Sequence, residues 1–279
     1  MKVLLYCPLC DDISPAEVCN YKKVLVRCNS CGIIFVPRMS GCNDNHDFYR
    51  QSATSPFNYY SRNLAASEKN SQYLFSIISR FAQPGKVLDI GCSTGIFMQC
   101  AEKHGFEAEG LEIDPNCVRM CNEKFGLKVH NKSVEESEFD KNRFDLINLG
   151  DVIEHFVKPL PAMRKIQTWL KPGGIVSIST PDIKSVAARW FQIKPDEHLT
   201  YFNSTTLSSI LEKAGFKVIY KAPFDPWRDL FSLRYSTTMN LFPLLPGIIN
   251  FLSQAIGSEN FLFRLPFHEN LIMIAQVPE

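Results

Sequence analysis

Short apolar runs alternate with helix-length amphipathic segments from about residue 64 onward, and this alternation predicts strands and helices wound around a largely parallel sheet. Apolar positions at Tyr73, Leu74, Ile77, Ile78 and Phe81 give residues 64–81 one helical face. Strand-like runs follow at 87–90, 107–111, 144–149, 175–179, 217–221 and 271–277. A helical pattern opens after Gly95 and another covers 205–214, while Leu170-Lys171-Pro172-Gly173-Gly174 stops a helix and launches the next strand. Before this region, residues 23–27 and 33–36 read as two short strands. Residues 41–63 are polar and aromatic with no period, and residues 223–268 interrupt the last two strands with an apolar insertion.

The first strand of the series ends in Asp89 and runs into Gly91-Cys92-Ser93-Thr94-Gly95. Glycines at that point let the backbone turn tightly and approach a nucleotide-like ligand. A dinucleotide fingerprint needs glycines at 91, 93 and 96, but Ser93 and Ile96 stand at the last two positions. Asp89 would also repel a pyrophosphate and welcome a cation, which favours S-adenosylmethionine with its sulfonium and ammonium groups. The next strand ends at Glu112, 21 residues after Gly91, where a carboxylate can accept from ribose hydroxyls.

With the segments at 144–155 and 170–179, this order resembles the class I S-adenosylmethionine-dependent methyltransferases, whose first motif runs acid-x-Gly-x-Gly-x-Gly with Ser93 here at the middle glycine. The resemblance implies a Rossmann-like seven-stranded α/β sheet with its last strand antiparallel, spanning residues 64–279. It implies cofactor contacts from Asp89, Gly91, Cys92, Ser93, Gly95, Glu112 and Ile113. It also implies contacts from Ser133 and Val134 at the adenine edge, and from Gly150 and Asp151 after the fourth strand.

At the N-terminus, Cys7-x2-Cys10 and Cys28-x2-Cys31 are separated by 17 residues. Two such knuckles offer four thiolates to tetrahedral Zn2+, a closed structural site with no position left for substrate. Residues 1–40 therefore read as a zinc ribbon and residues 41–63 as an aromatic linker packed on the catalytic domain. Tyr49 and Tyr59 in that linker pack against the ribbon or line the substrate mouth. Cys19, Cys42 and His46 are left out of the metal set. The 30 basic and 29 acidic residues give a net charge of +1, without the basic excess that nucleic-acid binding needs. Ten cysteines without a signal-like apolar stretch before Cys7 and Pro8 predict a reducing, cytoplasmic setting.

The acceptor of the methyl group is read from the carboxyl ends of the strands. A hydroxyl acceptor needs a base, and His198 is the first candidate, ahead of His155. His104, His130 and His268 show no converging polar partners in the sequence. Residues 248–256 within the insertion read as a packed subdomain or homodimer contact, in preference to a lid or a peripheral membrane helix. Either version accommodates a lipid-linked acceptor. The ribbon and this domain together resemble bacterial sugar and natural-product methyltransferases, which implies a sugar, glycolipid or secondary metabolite as acceptor. A ribosomal RNA methyltransferase is the alternative, because one such family also opens with Cys-Pro-Leu-Cys. Against it stand the Cys28/Cys31 knuckle and the balanced charge. A non-catalytic S-adenosylmethionine-binding protein is the third reading.

Overall fold

The computed structural model describes residues 3–10, 12–20, 24–37, 62–229, 261–264 and 266–279. Tyr49, Tyr59, Cys42, His46 and the 248–256 segment lie outside the described residues. Four antiparallel strands begin the chain: β1 (Val3–Cys7), β2 (Asp12–Asn20), β3 (Val24–Cys28) and β4 (Ile34–Phe35). Sequence pattern had predicted only β3 and β4. Pro15 and Asp12 disguise β2, which lacks a clean alternation of apolar and polar positions.

The catalytic fold then runs α1 (Leu64–Ile78), β5 (Lys86–Ile90), α2 (Ile96–Lys103), β6 (Glu107–Leu111), α3 (Pro115–Arg119) and β7 (Lys128–His130). It continues through β8 (Phe144–Gly150), α4 (Pro159–Trp169), β9 (Leu170–Pro181), α5 (Val186–Phe191), β10 (Thr200–Tyr201) and α6 (Ser204–Lys213). β11 (Lys217–Phe224) and β12 (Asn270–Gln276) close it. Seven strands form one sheet in the order β11-β12-β9-β8-β5-β6-β7. β5 to β9 are parallel where they pair, and β12 is antiparallel to both β9 and β11, as expected of the last strand.

Alternation along the strands separates two packed faces. Val87, Leu146, Ile175 and Ile272 join Phe75 and Ile78 of α1 and Met98 of α2 on one side. Their neighbours Leu88, Ile147, Val176 and Met273 face Met163 and Ile166 of α4 and Leu207 and Ile210 of α6 on the other. Period-two alternation places adjacent residues on opposite faces, and apolar residues at both positions give a sheet covered by helices on both sides. Helix α4 ends at Trp169, immediately before the 170–174 segment expected to stop it, but β9 begins at Leu170 and not at Ile175. Gly173, at φ +75°, instead shapes an irregularity inside β9.

The cysteine-bearing strands extend this second face. Cys7, Leu9, Val26, Cys28, Ile33 and Phe35 are buried in the same apolar cluster as Phe202, Leu207 and Ile210. Leu25 and Ile34 pack with Ile183, Ile193 and Tyr201. β4 also pairs antiparallel with β10, matching Thr200 to Phe35 and Tyr201 to Ile34. The ribbon is therefore fused to the catalytic core through a continuous five-stranded sheet, order β1-β2-β3-β4-β10. Among the described residues, no helix is long and apolar enough to cross a membrane.

Phe202, fully buried where the two sheets meet, tests this shared core. Phe202→Ala should lower unfolding stability by about 3–5 kcal/mol, read from urea denaturation, with the ribbon and the large sheet unfolding in one transition.

Candidate active site and cysteine cluster

The loop from β5 to α2 is built by backbone conformations that few residues tolerate. Gly91 sits at φ +68° and Gly95 at φ +74°, and an added Cβ would meet Val152 at 2.6 Å or Leu127 at 2.4 Å. Ser93 also has a positive φ, +48°, and replaces the family's middle glycine in that conformation. The loop is tied to the end of β6: the Gly91 and Cys92 amides donate to the Leu111 carbonyl at 2.8 and 3.1 Å. Glu112 then accepts from three amides, Ser93 at 2.8 Å, Ile113 at 2.7 Å and Asp114 at 2.8 Å.

A carboxylate has about four lone-pair sites, so these three bonds leave capacity for a ligand hydroxyl. Asp89 lies beneath the same loop, 3% exposed, and accepts from Asn148 Nδ2 at 2.8 Å. Burial pushes the Asp89 carboxyl up to about 7, with the Asn148 bond opposing and the Glu112 charge adding to the rise. Burial likewise raises Glu112, against the pull of its backbone donors. Two destabilised acids under one loop, with the Ser93 hydroxyl buried and unpartnered, suit a ligand that is cationic and rich in hydroxyls. S-adenosylmethionine fits that description, and Asn148, which the sequence reading missed, completes the pair with Asp89. A polar residue inside the apolar run 144–149 was the available signal.

The two residues expected at the adenine edge sit in a local turn. Ser133 and Glu136 cap one another, Ser133 N donating to Glu136 Oε2 at 3.0 Å and Glu136 N to Ser133 Oγ at 3.2 Å. This Ser-x-x-Glu box engages the Ser133 amide and leaves its hydroxyl proton free to donate, and Val134 is buried in the core. Asp151 follows Gly150 at the end of β8, and both are exposed to solvent. Asp151, at φ +55°, is met from β9 and β12, where Asn270 Nδ2 donates to its carboxylate at 2.9 Å and Ser179 Oγ at 3.3 Å. Protein crowding on its remaining sides pushes that carboxyl up to about 6, while Ser179, Arg228 and Lys194 draw it down and Glu269 raises it.

The two histidines are brought together, their ring centroids 4.9 Å apart, but inside the protein. His198 is 5% exposed, with Nδ1 2.8 Å from the Gln192 carbonyl, and His155 Nδ1 lies 2.9 Å from the Glu197 carbonyl. Burial drives His155 down to about 4 and His198 well below its ordinary value. Glu154 beside them accepts from Thr180 Oγ1 at 2.9 Å, and burial raises it to about 8. The three side chains converge within 4.8 Å, Glu154 and His198 buried and His155 half-buried. The expectation of His198 as the proton acceptor gives way because tertiary packing, invisible in the local sequence, encloses it. His130 is corrected as well: its Nε2 lies 3.2 Å from Glu109, which also pairs with Arg143 and Lys128.

The four cysteine sulfurs lie within 4.8 Å of one another. Cys7 and Cys31 are 3.6 Å apart and Cys10 and Cys28 3.9 Å, against edges of about 3.8 Å for a tetrahedron with zinc–sulfur bonds of about 2.3 Å. Without a cation the thiols resist ionising together. Contact with Cys31 lowers Cys7 to about 5, while Cys31 is raised chiefly by its contact with Cys7, and desolvation takes Cys10 up to about 11. The donor set fits zinc.

Residues 66–221 match a family described as a methyltransferase domain, more than half of the chain. The chain belongs to that family. Ubiquinone biosynthesis O-methyltransferase of Aliivibrio fischeri is 26% identical over 174 residues, 56% of this chain and 74% of the relative. Phosphoethanolamine N-methyltransferase of Plasmodium falciparum is 29% identical over 163 residues, 54% of this chain and 60% of the relative. A solved S-adenosylmethionine-dependent methyltransferase from Archaeoglobus fulgidus shares the fold at a TM-score of 0.52 and 20% identity, covering 74% of this chain and 92% of that one. A Haemonchus contortus phosphoethanolamine N-methyltransferase does so at 0.56 and 18%, covering 88% and 63%. The protein is an S-adenosylmethionine-dependent methyltransferase.

Two outcomes follow for the methyltransferase loop. Gly95→Ala combines a left-handed φ with a clash against Leu127, and S-adenosylmethionine affinity measured by calorimetry should fall at least about tenfold, since backbone strain and clash each cost about 1–3 kcal/mol. Because the Asp89 carboxyl is raised in the folded state, the native protein binds a proton there that the unfolded chain releases. Stability should therefore fall as pH rises from about 4, the unfolded value, to about 7, and Asp89→Asn should flatten that slope in denaturation curves across the window.

Proposed function

We propose that this methyltransferase acts on a small polar acceptor carrying a hydroxyl or amine, with a sugar, a glycolipid or another secondary metabolite as the acceptor class. The observation that carries the reading is the polar floor at the carboxyl ends of β8 and β9 and the amino end of β12. There the exposed Asp151 carboxylate, held by Asn270 and Ser179, neighbours the Arg228–Glu269 ion pair. Such a floor offers acceptors and donors to a hydroxylated ligand. The relatives named for ubiquinone biosynthesis and phosphoethanolamine support a small-molecule acceptor. The neutral charge balance argues against RNA, and the cysteine usage favours a cytoplasmic setting.

In this reading Glu112, the 91–95 loop and Asp89 hold the methyl donor, which supplies an electrophilic methyl group when bound. Asp151 orients the acceptor and takes its proton as the acceptor oxygen or nitrogen attacks. His155 and His198 hold the wall behind it. A carboxyl near 6 is largely ionised at neutral pH and still basic enough to accept a proton from a nucleophile becoming charged in the transition state. Cys7, Cys10, Cys28 and Cys31 hold one structural zinc ion. Its closed four-sulfur shell gives it no part in the chemistry.

Incubation of small-molecule extracts with methyl-labelled S-adenosylmethionine should label a low-mass polar product. Label found only in RNA would overturn the acceptor class. With that product's precursor in hand, kcat/KM should rise as pH increases through about 6, as Asp151 ionises with Arg228, Lys194 and Glu269 around it. Asp151→Asn should lower kcat by about 100-fold or more and leave cofactor affinity nearly unchanged. Glu112→Ala should instead abolish measurable cofactor binding. Elemental analysis should find one zinc per chain, lost in Cys28→Ser.

A further inference from the structure

We propose that the four-cysteine module is a positioning element of the acceptor half of the site. Through β4 it holds strand β10 and the 192–201 segment, while the cofactor half stands independently of it. The inference rests on the zinc reading above and deepens it.

The path is short and continuous. Cys28 N donates to the Ile33 carbonyl at 2.9 Å and Gly32 N to the Cys28 carbonyl at 2.9 Å, so closure of the second knuckle fixes where β4 begins. β4 pairs with β10, and beyond the pair Val36 N donates to the Leu199 carbonyl at 2.9 Å. The same Leu199 donates its own amide to the Glu154 carbonyl at 2.8 Å. One residue thus joins the ribbon to the turn after β8 that begins at Asp151. Glu197 and Gln192, on the segment leading into β10, supply the carbonyls that orient His155 and His198. On the first knuckle, Lys213 of α6 reaches the Leu9 carbonyl at 3.2 Å.

Two-residue strands cannot hold themselves. Each backbone hydrogen bond contributes a net of only about 1 kcal/mol, so β10 depends on a fixed neighbour. Its apolar support is also supplied by the ribbon, because Leu25 and Ile34 complete the cluster around Ile183, Ile193 and Tyr201. The cofactor loop draws its hydrogen bonds from β5, β6 and Glu112, and meets the turn after β8 through the packing of Gly91 beside Val152. A metal ion at the four sulfurs therefore sets the shape of the acceptor wall from outside the cleft.

The test compares the zinc-loaded full-length protein with the same protein stripped by a chelator, using peptide-resolved hydrogen exchange and calorimetric binding of S-adenosylmethionine. Stripping should raise exchange across residues 193–202 by about tenfold or more. Peptides covering β5 to β7 should stay protected, and cofactor affinity should hold within about twofold. Ile34→Ala, which leaves all four cysteines in place, should reproduce the local rise with zinc retained, and Ile34→Val should restore protection. Ribbon peptides that lose protection while 193–202 does not would overturn the proposal, as would loss of cofactor binding in step with exchange at 193–202. Purified protein that binds no zinc would sink the metal reading alone. The Ile34 pair would then decide the positioning role, with unchanged exchange at 193–202 in Ile34→Ala refuting it.

Discussion

The cofactor half depends on one carboxylate. Glu112 stands where β6 ends and the chain must turn, and its two oxygens collect amides from Ser93 on the neighbouring loop and from Ile113 and Asp114 just beyond it. Three charge-assisted bonds of this kind fix two loops against each other at a place where no regular ladder can. The cost is a buried negative charge, made worse by Asp89 under the same loop. A cationic donor relieves that cost, so the interactions that shape the loop and those that favour the cofactor share one source. Gly91 and Gly95 serve the same constraint, since any side chain at either position would push the loop off Val152 or Leu127.

The acceptor half obeys a different constraint, the burial of apolar surface that the methyltransferase fold alone would leave open. Phe202, Leu207 and Ile210 form a face that Leu9, Val26, Ile33 and Phe35 cover. A small four-cysteine module cannot build a core of its own from so few residues, and a sheet face this apolar cannot stay wet. Each part solves the other's problem. The cluster of Glu154, His155 and His198 lies along the seam, where burial disfavours the charged form of each group.

Much of this was legible in the residues themselves. Strands β5, β8 and β9 are read correctly because apolar residues on both alternating positions mean a doubly covered sheet, and positive φ at Gly91 and Gly95 is what glycine at a turn signals. The four cysteines were paired by spacing alone, and the sulfurs converge as that spacing required. Other readings failed for identifiable reasons. His198 looked reactive because nothing near it in sequence reveals that β4, more than 160 residues earlier, roofs its strand. Long-range pairing of that kind leaves no periodic trace.

Asp151 shows why residue type and strand position are insufficient to assign a role. Placed at the end of β8, it shares with Asp89 and Glu112 the carboxyl edge of the sheet, and an acid there suggests another cofactor ligand. At a left-handed φ, its side chain is met instead from β9 and β12, by Ser179 and Asn270. Those two partners belong to strands brought together only by the antiparallel insertion of β12 between β9 and β11. The glycine loop and Glu112 thus belong to one βαβ unit with Asn148 of β8 beside it, whereas the polar floor around Asp151 draws on β9, β12 and the turn after β8. Acceptor specificity can change through any of those parts without disturbing the Glu112 loop. This separation allows one methyl donor to serve a fold whose acceptors differ.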